Sequence, residues 1–113
     1  MAKLTATTYP ELSDLLDRRN SDGPVRIGHN TTVERSPAGN LVIRLHSSAI
    51  VQLHPLGWVA VTTAGWDTVT TRERINQFLR PVSAGVHRVR GRLHAYGPEI
   101  GNSSPWDGDW IVP

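Results

Sequence analysis

From Val25 to Gly65 the apolar residues recur roughly at alternate positions, and turn formers interrupt them every few residues. Such a period puts successive side chains on opposite faces of an extended chain, so this stretch predicts short β-strands, each with one face on a core. The run Leu41–His46 shows it most clearly: Leu41, Ile43 and Leu45 alternate with Val42, Arg44 and His46. VRI at 25–27 and TTVER at 31–35 precede this run, and AIVQLH at 49–54 and WVAVTT at 58–63 follow it. Ser36-Pro37-Ala38-Gly39-Asn40 and Pro55-Leu56-Gly57 are hairpin loop compositions. Connections this short join antiparallel neighbours only, so the segment predicts a meander.

Helical spacing flanks it. Thr8 and Glu11 stand three apart, as a capping box requires, with Pro10 inside the first turn. Leu12, Leu15 and Leu16 make one apolar stripe, Asp14 and Arg18 pair on the wet face, and Asn20-Ser21-Asp22-Gly23-Pro24 ends the helix, giving about 9–19. In TTAGWDTVTTRERINQFL (62–79), Gly65 ends a strand and Trp66 follows as an apolar plug for the core. Thr70 and Glu73 then form a second capping box, opening a helix over about 71–80 that buries Ile75, Phe78 and Leu79 and stops at Pro81. Trp66, Thr70, Glu73 and Phe78 are therefore assigned structural roles, as is Trp58. VHRVRGRLHAY (86–96) predicts a hairpin turning at Arg90-Gly91, and residues 105–112 a last strand or an extended cover. The order predicts one α+β domain over 1–113, a small antiparallel sheet (a meander) carrying two short helices.

Composition narrows the chemistry. A chain of 113 residues with 38% apolar content supports one modest core and argues against a large buried cofactor pocket, so no cofactor is expected. The absence of cysteine excludes disulfides, thiolate metal sites and cysteine nucleophiles. The opening MAKLTATTYPEL lacks the apolar core of a signal peptide, and no apolar run approaches the ~18 residues of a membrane span. The glycosylation-like triplets at Asn30 and Asn102 accordingly carry no weight.

Two segments carry a family likeness. IRLHSSAIV (43–51) contains Arg44-Leu45-His46, and TTAGWDTVTTRERIN (62–76) contains Gly65, Trp66, Thr68, Thr70, Thr71, Arg74 and Asn76 in a GWxTxTTxxR[LI]N pattern. With these segments, residues 39–80 resemble a family of small actinobacteriophage (mycobacteriophage-like) proteins, in which leucine is usual where Ile75 stands here. A basic hairpin and an Asp-Gly tail are also similar, except that Leu93 replaces an aromatic. The resemblance implies an origin, a phage protein acting in the host bacterial cytoplasm, and it implies no activity.

Catalytic patterns are weak. His46-Ser47-Ser48 suggests a nucleophile and base, but strand neighbours point to opposite faces, and no Gly-x-Ser-x-Gly elbow is present. Asp107 and Asp109 flank a glycine, which is turn chemistry. No catalytic residue is assigned, and an enzyme is not expected. His87 and His94 can face one another across the hairpin, but two histidines are too few for a stable zinc site, and a third ligand would have to come from His46, His54 or an aspartate. No metal site is assigned.

Charge is more informative. Over residues 68–96, Arg72, Arg74, Arg80, Arg88, Arg90 and Arg92 face a single acid, Glu73, whereas the tail 97–113 carries Glu99, Asp107 and Asp109 with no base. A surface formed by Arg72, Arg80, Arg88, Arg90 and Arg92 would suit the phosphates of DNA or RNA, with Arg74 set apart because its spacing from Phe78 points it inward. A plainer role for the hairpin arginines is to keep an edge ribbon soluble. The alternative function is a protein-binding module that grips a host protein through Trp106 and Trp110, which sit in a polar, turn-rich tail. Acidic tail and basic hairpin together also allow a homo-oligomer. The leading expectation is a non-enzymatic phage accessory protein that binds a macromolecule, nucleic acid first and a host protein second.

Overall fold

Helix α1 (Tyr9–Arg19) begins where the sequence places it, in a computed structural model that describes residues 2–113. Pro10 occupies the first turn, where its missing N–H costs no helical hydrogen bond. The capping box is one-sided: the Glu11 carboxylate accepts from the Thr8 hydroxyl at 2.8 Å and the Thr7 N–H at 3.4 Å, while the Thr8 side chain makes no bond to the helix backbone. Asn20, in the left-handed region at φ 47°, ends the helix. Leu12 and Leu16 are buried, and Arg18 pairs with Asp14 at 3.0 Å.

The strands β1 (Val25–Gly28), β2 (Thr31–Arg35), β3 (Leu41–Leu45), β4 (Ser48–Leu53) and β5 (Val59–Val61) form an antiparallel sheet in sequence order. Tight reversals at each end keep consecutive strands adjacent. A second sheet follows, made of β6 (Gly85–Val89), β7 (Arg92–Gly97) and β8 (Gly101–Pro105). The molecule thus carries a five-stranded meander and a separate three-stranded one. Helix α2 (Val69–Leu79) lies between them, touching β4, β5 and β6, and a 3-10 turn, Arg80–Val82, leads into the second sheet.

One core serves all of it. Val33, Ile43, Val51 and Val61 from the large sheet meet Leu12 of α1 and Ile75, Phe78 and Leu79 of α2, and the cluster continues into Val86 and Ala95 of the small sheet. The tail closes the free edge of β5, where Val61 and Ile111 exchange backbone hydrogen bonds of 2.9 and 3.0 Å. Covering an edge strand in this way removes a row of unpaired backbone groups.

Candidate nucleic-acid interface

The corner between β5 and α2 is built by threonines, but not by the ones the capping-box spacing selects. Ala64 (φ 53°) and Gly65 (φ 85°) form a tight turn closed by the Trp66 N–H on the Thr63 carbonyl at 2.8 Å. Thr62 and Thr63 donate their hydroxyls to the Gly108 carbonyl at 2.8 and 3.2 Å, which fastens the C-terminal tail to the end of β5. Gly108 is required there: its φ is +90°, and a Cβ would stand 2.6 Å from Thr63 Oγ1. The N-cap of α2 is Thr68, whose hydroxyl accepts from the Thr71 N–H at 3.1 Å. Thr70 therefore lies inside the first turn and is exposed, so the Thr70–Glu73 capping box is corrected to a Thr68–Thr71 cap.

Trp66 also departs from expectation. It is 62% exposed and does not plug the core. The turn at Ala64–Gly65 reverses the chain before Trp66, and the space beneath α2 is already filled by Ile75, Phe78 and Leu79. Trp58 likewise lies at the surface, stacked on His54 with ring centroids 4.4 Å apart. Phe78 is fully buried.

The next residue, Asp67, organises the charge. Its carboxylate accepts from Arg72 on α2 through one oxygen and from Arg88 on β6 through the other. Arg88 also donates to the Gly91 carbonyl at 2.8 Å, which braces the hairpin tip. Arg90 (φ 51°) and Gly91 (φ 79°) form that tip, and the register Val89↔Arg92 fixes Arg92 beside it. Arg72, Arg88, Arg90 and Arg92 thus share one edge, and among the described residues no carboxylate pairs with Arg90 or Arg92. Arg80 does not belong to this edge. It stands at the other end of α2, beside Lys3 and Leu4, about 12 Å along the helix axis from Arg72.

Arg74 is the basic residue that sequence spacing sets apart from the surface, and it is buried. It is 1% exposed, and its guanidinium donates at 3.3 Å to the carbonyls of Ala2 and His29 and to Gln77 Oε1. Among the described residues no carboxylate faces it, and Nε has no partner. Burial lowers its pKa below the usual guanidinium range. Its role is to tie the N-terminal segment and the β1–β2 turn to α2.

On the outer face of the small sheet, His87 and His94 are directly opposite in register. Ser103 Oγ lies 2.8 Å from His87 Nε2 and 3.0 Å from His94 Nδ1. A single hydroxyl proton serves only one of these contacts, so the other ring must present its own N–H. The turn at Arg90-Gly91 makes the histidine pairing legible from sequence; Ser103 arrives from β8 and is not. No third His, Asp or Glu joins them in a metal-sized group among the described residues.

The tail divides the two tryptophans. Trp106 is half-buried against the core, and its indole N–H donates to the Asp109 carbonyl at 2.8 Å. Trp110 remains 43% exposed. They are separate features rather than one gripping pair.

A concave groove of about 450 Å³ lies beside the basic edge. Leu45–Ser48 and Ile50 form one wall, and Trp66, Thr68, Thr70 and Thr71 form the other. These walls are supplied by the Arg-Leu-His and Gly-Trp-x-Thr-x-Thr-Thr segments, distant in sequence and brought together by the packing of α2 on β4.

No curated protein and no solved structure matches this chain. Residues 19–109 match the family model described as Kyanoviridae Gp96 protein, a span that contains every strand, α2 and the whole basic edge. No described helix is long and apolar enough to cross a membrane. The chain therefore belongs to the Kyanoviridae Gp96 protein family, a family of phage proteins.

Proposed function

We propose that this phage protein is a non-enzymatic accessory protein that binds nucleic acid through the α2–β6–β7 edge, in the cytoplasm of its bacterial host. The observation that carries this is the shared carboxylate of Asp67, which draws Arg72 and Arg88 from separate elements into one surface with Arg90 and Arg92. Clustered arginines at the tip of the β6–β7 hairpin gain affinity for phosphates by releasing counterions. The bacterial host is supported by the phage family and by the resemblance of residues 39–80 to actinobacteriophage proteins.

The test is charge reversal. Arg88→Glu, Arg90→Glu and Arg92→Glu combined should abolish binding to labelled oligonucleotides at low salt while leaving the fold intact by circular dichroism. Unchanged binding would refute the assignment. A second function, gripping a host protein, is favoured by the exposure of Trp110 alone. It predicts a specific partner in host lysate that is lost on Trp110→Ala and indifferent to the arginine reversals.

A further inference from the structure

We infer that the groove between the β3–β4 turn and the start of α2 holds an unpaired nucleobase, so that the favoured ligand is single-stranded nucleic acid. This rests on the nucleic-acid function proposed above and names the ligand class of the same surface. Three observations converge on it. First, Trp66 offers an exposed indole at the groove wall, and aromatic side chains beside basic surfaces are the stacking platforms of single-strand binders. Second, the groove is apolar-walled and polar-edged. Leu45 and Ile50 supply apolar wall, while the Ser48 and Thr70 hydroxyls engage no protein partner among the described residues and can meet the edge of a base. Its volume of about 450 Å³ admits a nucleobase with its sugar.

Third, the charge lies where a strand's phosphates would run. Asp67, placed between the groove-lining Trp66 and Thr68, brings Arg72 and Arg88 to one rim. Arg44 lies next to the groove-lining Leu45 in sequence but on the other face of β3, where Glu34 holds it at 2.7 Å, so it does not belong to the groove. A base stacked on Trp66 thus has the basic edge on the α2 side for a flanking phosphate. A duplex keeps its bases stacked inside and gains only the electrostatic part.

The test compares a fluorescein-labelled oligo-dT strand with a labelled duplex of equal length, for the wild type, Trp66→Ala and Trp66→Phe. Trp66 is exposed, so truncation should leave the fold intact, and the phenylalanine variant keeps a stacking ring. The wild type should favour the single strand. Trp66→Ala should lose about tenfold or more on the single strand, the size of one base–aromatic stack, with duplex binding and the salt slope unchanged. Trp66→Phe should recover most of that loss. If Trp66→Ala bound the single strand as tightly as the wild type, or lost equally on both ligands, the base site would be overturned while the basic-edge function stood. No binding of either ligand at low salt would overturn both. A groove built instead for a protein side chain would appear as the first of these outcomes.

Discussion

Replacing Asp67 by asparagine should make the protein less stable and yet a tighter ligand for nucleic acid. The carboxylate accepts from two guanidiniums at once, Arg72 at 15% side-chain exposure and Arg88 at 43%. Solvent screens the Arg88 pair, so its share lies near the low end of the roughly 0.2–1 kcal/mol typical of exposed pairs. The Arg72 pair is better shielded and closer to the ~1.5 kcal/mol of a charge-assisted hydrogen bond. Together they contribute about 1–2 kcal/mol, which for a domain of this length lowers Tm by about 4–8 °C. The same substitution removes the one negative charge shared by Arg72 and Arg88 and frees both for phosphate, so each added contact should steepen the single-strand salt slope by about 0.7. Urea unfolding with an unchanged m-value reads the first effect, and anisotropy across a salt series reads the second. An unchanged midpoint would mean that the two pairs carry no stability. Loss of stability and affinity together would mean that Asp67 positions the arginines rather than masks them, and would refute the reasoning.

Other perturbations bear on the frame that holds this edge. Arg74→Met should cost about 1–2 kcal/mol by urea midpoint, because the carbonyls of Ala2 and His29 lose their buried donor, and should speed amide exchange over residues 2–7. Gly97→Ala should cost about 1–3 kcal/mol, since the new Cβ would stand 2.5 Å from the Pro113 carbonyl, which is backbone and accepts from Glu99 and Ile100. Gly85→Ala should cost less, because the atoms it meets are the outer ring atoms of the 39% exposed Tyr96, which can swing toward solvent where the backbone at Pro113 cannot. Hydrogen bonds from the Thr8 hydroxyl and then the Thr7 N–H hold the Glu11 carboxyl below its ordinary 4.5. Its contribution is therefore present above that value and lost as pH falls through the depressed folded pKa; an acid titration of α1 helicity should show this loss, and Glu11→Gln should flatten it.

Local patterns carried the elements, and non-local contacts carried the site. Alternation in Leu41–Leu45 and the left-handed pair Arg90–Gly91 were readable because each is decided within a few residues. The division into two sheets was not, since period alone leaves open whether β6 continues past β5, and the answer depends on α2 packing between them. Thr68 and Thr70 have the same capping chemistry; the turn at Ala64–Gly65 decides between them by fixing where the helix starts. The same turn exposes Trp66, whose size makes burial the default from sequence. Asp67 reaches Arg88 across 21 residues of chain, so no spacing rule announces the contact that assembles the basic edge.

Fluorescence anisotropy of a labelled single strand, titrated with the wild-type protein across a salt series, tests that edge most directly. Engagement of about two phosphates by Arg90 and Arg92, with Arg72 and Arg88 held by Asp67, predicts that log affinity falls with log salt at a slope of about −1 to −2. Absence of binding at low salt, where the electrostatic attraction is strongest, or an affinity indifferent to salt, would contradict the account.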